Sequence, residues 1–296
     1  MPESHHVLLT DRDYAVFSVL LMSPFTAAQL LKLSRTFATP FTGERLLKRR
    51  LQRLGEAGFI QQHRYGTAQR GEPPAYYQLT RRGFSSVCGP DAVLPTRRFL
   101  QPVGWSAQKH TRCLADFIAH LHIAAAHRGI AVRDFRAENT VRLTVGPATL
   151  VPDATFELEF PSGRRLQYCV EMDCSTERIR SAFDSVDSIE RKVRLYREVA
   201  QWTGQRFRVL FVTTGRIERL QHMVEAAAAF ESDPHFARVY ACRLADFTAT
   251  DDALFVPCFA SAYHARIGLL QSTARYETAF ARGRGILKTS GHVVTP

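Results

Sequence analysis

Three carboxylates, Asp153, Glu171 and Asp173, fall near the ends of one short stretch, VPDATFELEFPSGRRLQYCVEMD, residues 151–173. Phe156, Leu158 and Phe160 alternate before a turn-forming run at 161–165, and Leu166, Tyr168 and Val170 alternate after it. That pattern predicts a β-hairpin. An odd loop centred on Gly163 pairs Phe160 with Leu166, Leu158 with Tyr168 and Phe156 with Val170. The same register sets Asp153 opposite Asp173, with Glu171 beside them on one face. Carboxylates gathered in this way repel unless a cation or a shared proton compensates, and hard divalent cations such as Mg2+ take oxygen ligands of this kind. The cluster therefore reads as a metal site. Glu157 and Glu159 share the polar face with Glu171, so the row also reads as a solvated sheet face that does no chemistry.

The elements around the hairpin alternate. A helix over 106–127 carries Leu114, Phe117, Ile118, Leu121 and Ile123 inward. A strand near 130–135 and an acid at Glu138 then lead into the hairpin. Beyond it the periodicity predicts a helix over 176–202, strands at 206–214 and 237–244 around a helix at 217–230, and a late strand near 254–258. Helices alternating with apolar strands give an α/β domain with helices on both sides of its sheet. His110, His120 and His122 lie on the first helix and read as structural histidines; 120 and 122 point to different sides of it.

The first third differs in pattern and charge. Three helices are predicted between residues 9 and 58: one capped by Thr10, a short one opened by Thr26, and GERLLKRRLQRLGEAGFI with Leu46, Leu47, Leu51 and Leu54 buried. Two strands, 59–64 and 75–79, flank a basic Gly/Pro-rich tip. This is the order of an N-terminal winged helix-turn-helix, whose third helix enters the major groove. Residues 1–87 hold 12 Lys plus Arg against 6 Asp plus Glu. Arg45, Lys48, Arg49, Arg50 and Arg53 on the third helix and Arg70 in the tip are the candidate DNA contacts. A purely protein-binding winged helix is the alternative. The domain reading is a winged helix over 1–87, a linker over 88–105 rich in Gly and Pro, an α/β domain over 106–262, and a basic tail over 263–296.

The whole chain of 296 residues carries a net charge of +11, which points to a polyanionic partner, double-stranded DNA before an anionic membrane. No apolar run is long enough for a membrane helix, so the sequence reads as cytoplasmic. Six scattered cysteines without a CxxC pair indicate neither a zinc ribbon nor a disulfide framework.

An acid on a leading segment (Glu138), then Pro152-Asp153, then a strand ending in Glu171, then a helix with a basic residue, resembles the PD-(D/E)xK nuclease superfamily. More narrowly, a winged helix followed by LVPDA, VEMD and a helix with Lys and Tyr is similar to the replication-relaxation family of plasmid and mobile-element proteins. Those proteins resemble mobilization relaxases of this nuclease type. The resemblance implies a restriction-endonuclease-like α/β domain with a mixed sheet, and replication or mobilization of a plasmid or mobile element. It also implies Mg2+- or Mn2+-dependent endonuclease nicking, with an accessory protein or a homodimer as partner. Asp153, Glu171 and Lys192 become catalytic candidates, and Asp153, Glu171, Asp173 and Glu138 metal ligands. Asp173 stands where the superfamily usually keeps its lysine; Lys192, followed one turn later by Tyr196, is the best candidate to replace it, and the alternatives are Arg178 or Arg180 neutralising the phosphate, or a degenerate site. One unbroken helix from 176 would carry Lys192 roughly 24 Å from the cluster, so a break near 184–188 is required. A non-catalytic DNA-binding replication or transcription regulator with a degenerate nuclease-like domain is the alternative function, and a restriction-type nuclease making double-strand breaks is a third.

Overall fold

The computed structural model describes residues 7–66, 73–96, 98–175, 177–181, 188–231 and 238–270. An N-terminal unit runs Asp11–Leu20 (α1), Phe25–Thr26 (β1), Ala27–Leu33 (α2), Glu44–Glu56 (α3), Ile60–Arg64 (β2), Ala75–Leu79 (β3) and Arg81–Cys88 (α4). The second part continues with Gln108–Ala126 (α5), Ala131–Arg136 (β4), Leu143–Val145 (β5), Ala148–Leu150 (β6), Ala154–Glu159 (β7), Arg165–Asp173 (β8) and Ile189–Thr203 (α6). It ends with Phe207–Thr213 (β9), Ile217–Ala228 (α7), Val239–Arg243 (β10), Leu244–Phe247 (α8), Phe259–Ser261 (β11) and His264–Ile267 (β12).

Local chemistry sets the N-terminal elements. Thr26 caps α2, accepting from the Gln29 backbone N–H, while the Gln29 side chain accepts from the Thr26 N–H at 2.8 Å, a reciprocal pair that satisfies two orphan donors. In α3 the buried stripe is Leu47, Leu51 and Leu54. Leu46, expected inside, is 46% exposed, because it lies one step of about 100° off that stripe. Gly58 takes a left-handed φ of 74° and ends the helix. Strands β1, β3 and β2 form a small antiparallel sheet in that order. Gly83 lets α4 close on it: a Cβ there would meet the Phe59 carbonyl oxygen at 2.0 Å.

Among the described residues the main sheet is mixed and seven-stranded, in the order β12-β11-β10-β9-β8-β7-β4. Strands β8, β9 and β10 are mutually parallel and the remaining pairings are antiparallel. Side-chain alternation along β8 splits two layers. Tyr168, Val170 and Met172 join the apolar cluster that holds α5, while Cys169 joins the cluster built by α6 and α7. The protein is thus an α/β fold, as expected.

Three expectations need correction. The hairpin pairs Phe156 with Tyr168 and Leu158 with Leu166, two residues out of the expected register. Gly163 supplies the left-handed residue (φ 79°) on the return side of the turn instead of its midpoint. An even shift keeps every side chain on its face, but it sets Asp153, one residue before the Ala154–Val170 pair, across from Glu171 and not Asp173. Residues 254–256 form turns, and the late strand comes afterwards as β11, paired with an unforeseen β12. Finally, α6 begins at Ile189 and not at 176; Ser188 caps it by accepting from the Arg191 N–H.

The segment read as a linker is tied down. The Leu100 and Gln101 carbonyls accept from Gln61 and Gln78, and the Val103 N–H donates to the Tyr76 hydroxyl. Beneath it, the apolar residues of the N-terminal unit and those around α5 form one connected core. Gln29, having capped α2, donates through Nε2 to Asp116 on α5 at 2.8 Å, and Lys32 meets His120 at 3.0 Å. Most of the basic tail, 271–296, lies outside the described residues.

Candidate active site

The carboxyl end of β8 carries the acids and the layers on both sides supply their partners. The Asp153 N–H donates to the Val170 carbonyl at 3.0 Å, and its Oδ2 accepts from the Met172 N–H at 2.6 Å. These two bonds fix the carboxylate to the β8 backbone. Glu171 is 2% exposed and points into the α6 layer. Because α6 starts at Ile189, Lys192 sits in its first turn, and its ammonium lies 2.8 Å from Glu171 Oε2 and 3.1 Å from Glu177. One turn on, the Tyr196 hydroxyl donates to Glu171 Oε1 at 2.5 Å. The break in the predicted helix is therefore what brings Lys192 to the cluster.

Burial pushes the Glu171 carboxyl above its usual range, and Lys192 with the Tyr196 hydrogen bond opposes this. Lys192 is itself buried, which disfavours its charge, yet Glu171 and Glu177 more than offset that and hold it firmly protonated.

From the opposite layer, His110 on α5 reaches Asp153 Oδ2 with Nε2 at 3.1 Å and approaches Glu138 Oε2 with Nδ1 at 4.0 Å. Burial alone would lower the imidazole, but the hydrogen bond and charge of Asp153, helped by Glu138, carry it up to about 9. Glu138 is pushed up by its own burial and by Asp153. Ser106, Lys109, His110, Asp153, Asp173, Glu177 and Lys192 line a cleft of about 290 Å³, and Glu138 and Glu171 adjoin it through His110 and Lys192.

Asp173 also lines this cleft and is engaged within the protein. Its carboxylate is 2.6 Å from both Nε and Nη2 of Arg219 on α7, and it also accepts from the Thr213 hydroxyl and the Ser175 N–H. Those contacts occupy it as a tie between β8 and α7. Oxygen donors suited to a divalent cation are therefore offered by Asp153 and Glu138, with Glu171 adjoining.

The basic residues of α3 separate in the same way. Arg45, Lys48, Arg49 and Arg53 are exposed, Lys48 pairing with Glu44 one turn back. Arg50 turns inward: its Nε donates to the fully buried Asp13 at 2.7 Å, and its Nη2 to the Leu8 carbonyl. Arg70 lies outside the described residues.

His110 and Glu177 are the residues the sequence did not flag. His110 continues the buried stripe of α5 one turn before Leu114, and a polar residue at the end of such a stripe is the signal that it carries. Nothing in the sequence distinguishes Glu177.

The molecule is thus an α/β protein with an acid, lysine and histidine cleft at the carboxyl end of the parallel strands of a mixed sheet. A model of the replication-relaxation family matches residues 21–213, and the chain belongs to that family. No curated protein and no solved structure matches it. No helix among the described residues is long and apolar enough to cross a membrane.

Proposed function

We propose that the protein binds DNA through its N-terminal unit and nicks it at the cleft, in a metal-dependent step of replication or mobilization. The observation that carries this reading is the contact of Lys192 with Glu171 beside Asp153. Three residue types that a phosphodiester-cleaving site needs converge there from separate elements. The order α5, β4, β7, β8, α6, β9 agrees with a PD-(D/E)xK-type core, and α1 to α3 with the β2–β3 hairpin agree with a winged helix. Four exposed basic residues on α3 face solvent, where a phosphate backbone can reach them.

Asp153 and Glu138, beside Glu171, would hold Mg2+ or Mn2+, and the ion when bound supplies Lewis-acid stabilisation of the phosphate. Lys192 presents a fixed positive charge and orients the attacking water through its N–H donors. Glu171 and Glu177 keep that ammonium charged and aimed. Tyr196 is a positioning residue: it is buried and its hydroxyl is committed to Glu171. No covalent tyrosine is required.

The test is nicking of supercoiled plasmid carrying the cognate origin, with Mg2+ or Mn2+. Asp153→Ala should abolish it, and activity that survives this change removes the site. One observation favours a non-catalytic regulator, since both Glu171 oxygens are engaged internally. Titration calorimetry separates the two readings: without Mg2+ or Mn2+ binding, even with DNA present, the nuclease has no mechanism.

A further inference from the structure

We infer that His110 is a metal ligand, completing with Asp153 and Glu138 a mixed nitrogen and oxygen site that prefers Mn2+ to Mg2+. This deepens the reading of the cleft as metal-dependent and rests on it.

The geometry comes from three separate elements. His110 stands in the first turn of α5, Glu138 follows β4, and Asp153 precedes β7. One donor atom from each lies within 4.8 Å of the others. With bonds of about 2.1 Å, donors on one ion lie about 3 Å apart when adjacent and about 4 Å apart when opposite, so the three donors close in on the ion as it binds. His110 and Asp153 line the cleft that Lys192 and Glu177 also line, and Glu138 adjoins it through His110.

The acids left over are tied elsewhere. Asp173 is held by Arg219 and Thr213, and each Glu171 oxygen has its own partner in α6. Asp153, by contrast, meets both the Met172 N–H and His110 through Oδ2. A carboxylate bound through one oxygen keeps the other for coordination.

The imidazole releases its proton to solvent as the ion takes that proton's place between it and the carboxylates, and the nitrogen donor then decides which ion is held. Mg2+ takes carboxylate oxygens and water and gains little from imidazole, whereas imidazole suits the first-row transition ions. Among Mg2+ and Mn2+, a site that offers one ring nitrogen and two carboxylates selects the second.

The full chain is loaded with Mn2+ alone, without DNA, and followed by electron paramagnetic resonance. Free Mn2+ gives a signal that falls on binding, and electron spin-echo modulation reports a directly bonded nitrogen. One bound Mn2+ with nitrogen modulation is expected, and His110→Ala should remove the modulation and weaken binding roughly tenfold or more. The exposed His222, replaced by Ala, should change neither. Mg2+ competition should displace Mn2+ more easily from His110→Ala than from the parent chain. Because the modulation is read on the parent protein, a variant that fails to fold does not protect the proposal. Bound Mn2+ without nitrogen modulation, or modulation that survives His110→Ala, overturns it. Nicking measured in parallel separates this from the proposed function. Activity that persists with oxygen-only Mn2+ removes the ligand assignment and leaves the nuclease, while nitrogen-bound Mn2+ with no nicking keeps the assignment and removes the nuclease.

Discussion

Replacing Arg219 with methionine asks whether Asp173 is a strut or a reagent. The guanidinium meets the carboxylate through two nitrogens, each 2.6 Å away, and donates a third bond to the Glu177 carbonyl. Asp173 is 1% exposed at its side chain and Arg219 19%, so the pair is largely shielded from water. Removing one partner of a buried pair costs about 3–5 kcal/mol, because the other charge is left without compensation. The partial exposure of Arg219 puts the pair near the lower limit, about 3 kcal/mol, and the missing bond to Glu177 adds about 1 kcal/mol. The sum is about 4 kcal/mol, which at about 2.1 cal/mol/K of unfolding entropy per residue lowers Tm by about 6 °C in a chain of 296 residues. Urea denaturation followed by circular dichroism reads the first figure and a thermal scan the second. Adding Asp173→Asn to Arg219→Met should recover about half the loss, since asparagine removes the stranded charge and can still accept from Thr213. A loss below about 1 kcal/mol for Arg219→Met would refute the reasoning and make Asp173 available as a metal ligand again.

Two further outcomes follow from the N-terminal unit. Burial works against the Asp13 charge, but hydrogen bonds from Arg50 and Thr10 hold the carboxyl below its usual range. A carboxylate lowered on folding contributes stability that is present above its unfolded value, about 4, and is lost as pH falls through the folded one. Acid titration of stability should therefore steepen below about pH 4, and Asp13→Asn should flatten that limb while lowering stability at neutral pH. Replacing Arg45, Arg49 and Arg53 with alanine together should leave the fold intact and weaken DNA binding. The salt slope should fall by about 0.9 for each phosphate that is no longer neutralised, measured by fluorescence anisotropy; unchanged affinity would exclude this face of α3.

Much of the fold is legible in the sequence because periodicity speaks to burial. The β7 and β8 alternation, the helical stripe of α5 and the capping pair at Thr26 and Gln29 each state locally what the structure does. The hairpin register is not legible. Shifting the turn centre by one residue preserves both faces, so the apolar pattern cannot distinguish Asp173 from Glu171 as the neighbour of Asp153. The role of Asp173 depends on Arg219, which arrives through a later strand and helix; no local pattern connects them. Lys192 is reachable from the sequence only with the added requirement of a break, and Ser188, capping a helix that starts late, is the residue that supplies it. His110 reads as structural because histidines among apolar helix residues usually pack. Its position beyond the end of the stripe matters only once Glu138 and Asp153 are known to sit opposite.

The single core that runs from α1 through α5 to the sheet also bears on how such a protein can change. A recognition unit joined by a loose tether can be traded between relatives as a cassette. Here an exchange of residues 1–87 would also have to supply Gln29 for Asp116, Lys32 for His120 and the apolar underside of α2. The two halves must therefore drift together, and the spacing between the α3 surface and the cleft is inherited as one dimension of a solid body rather than set by the length of a linker.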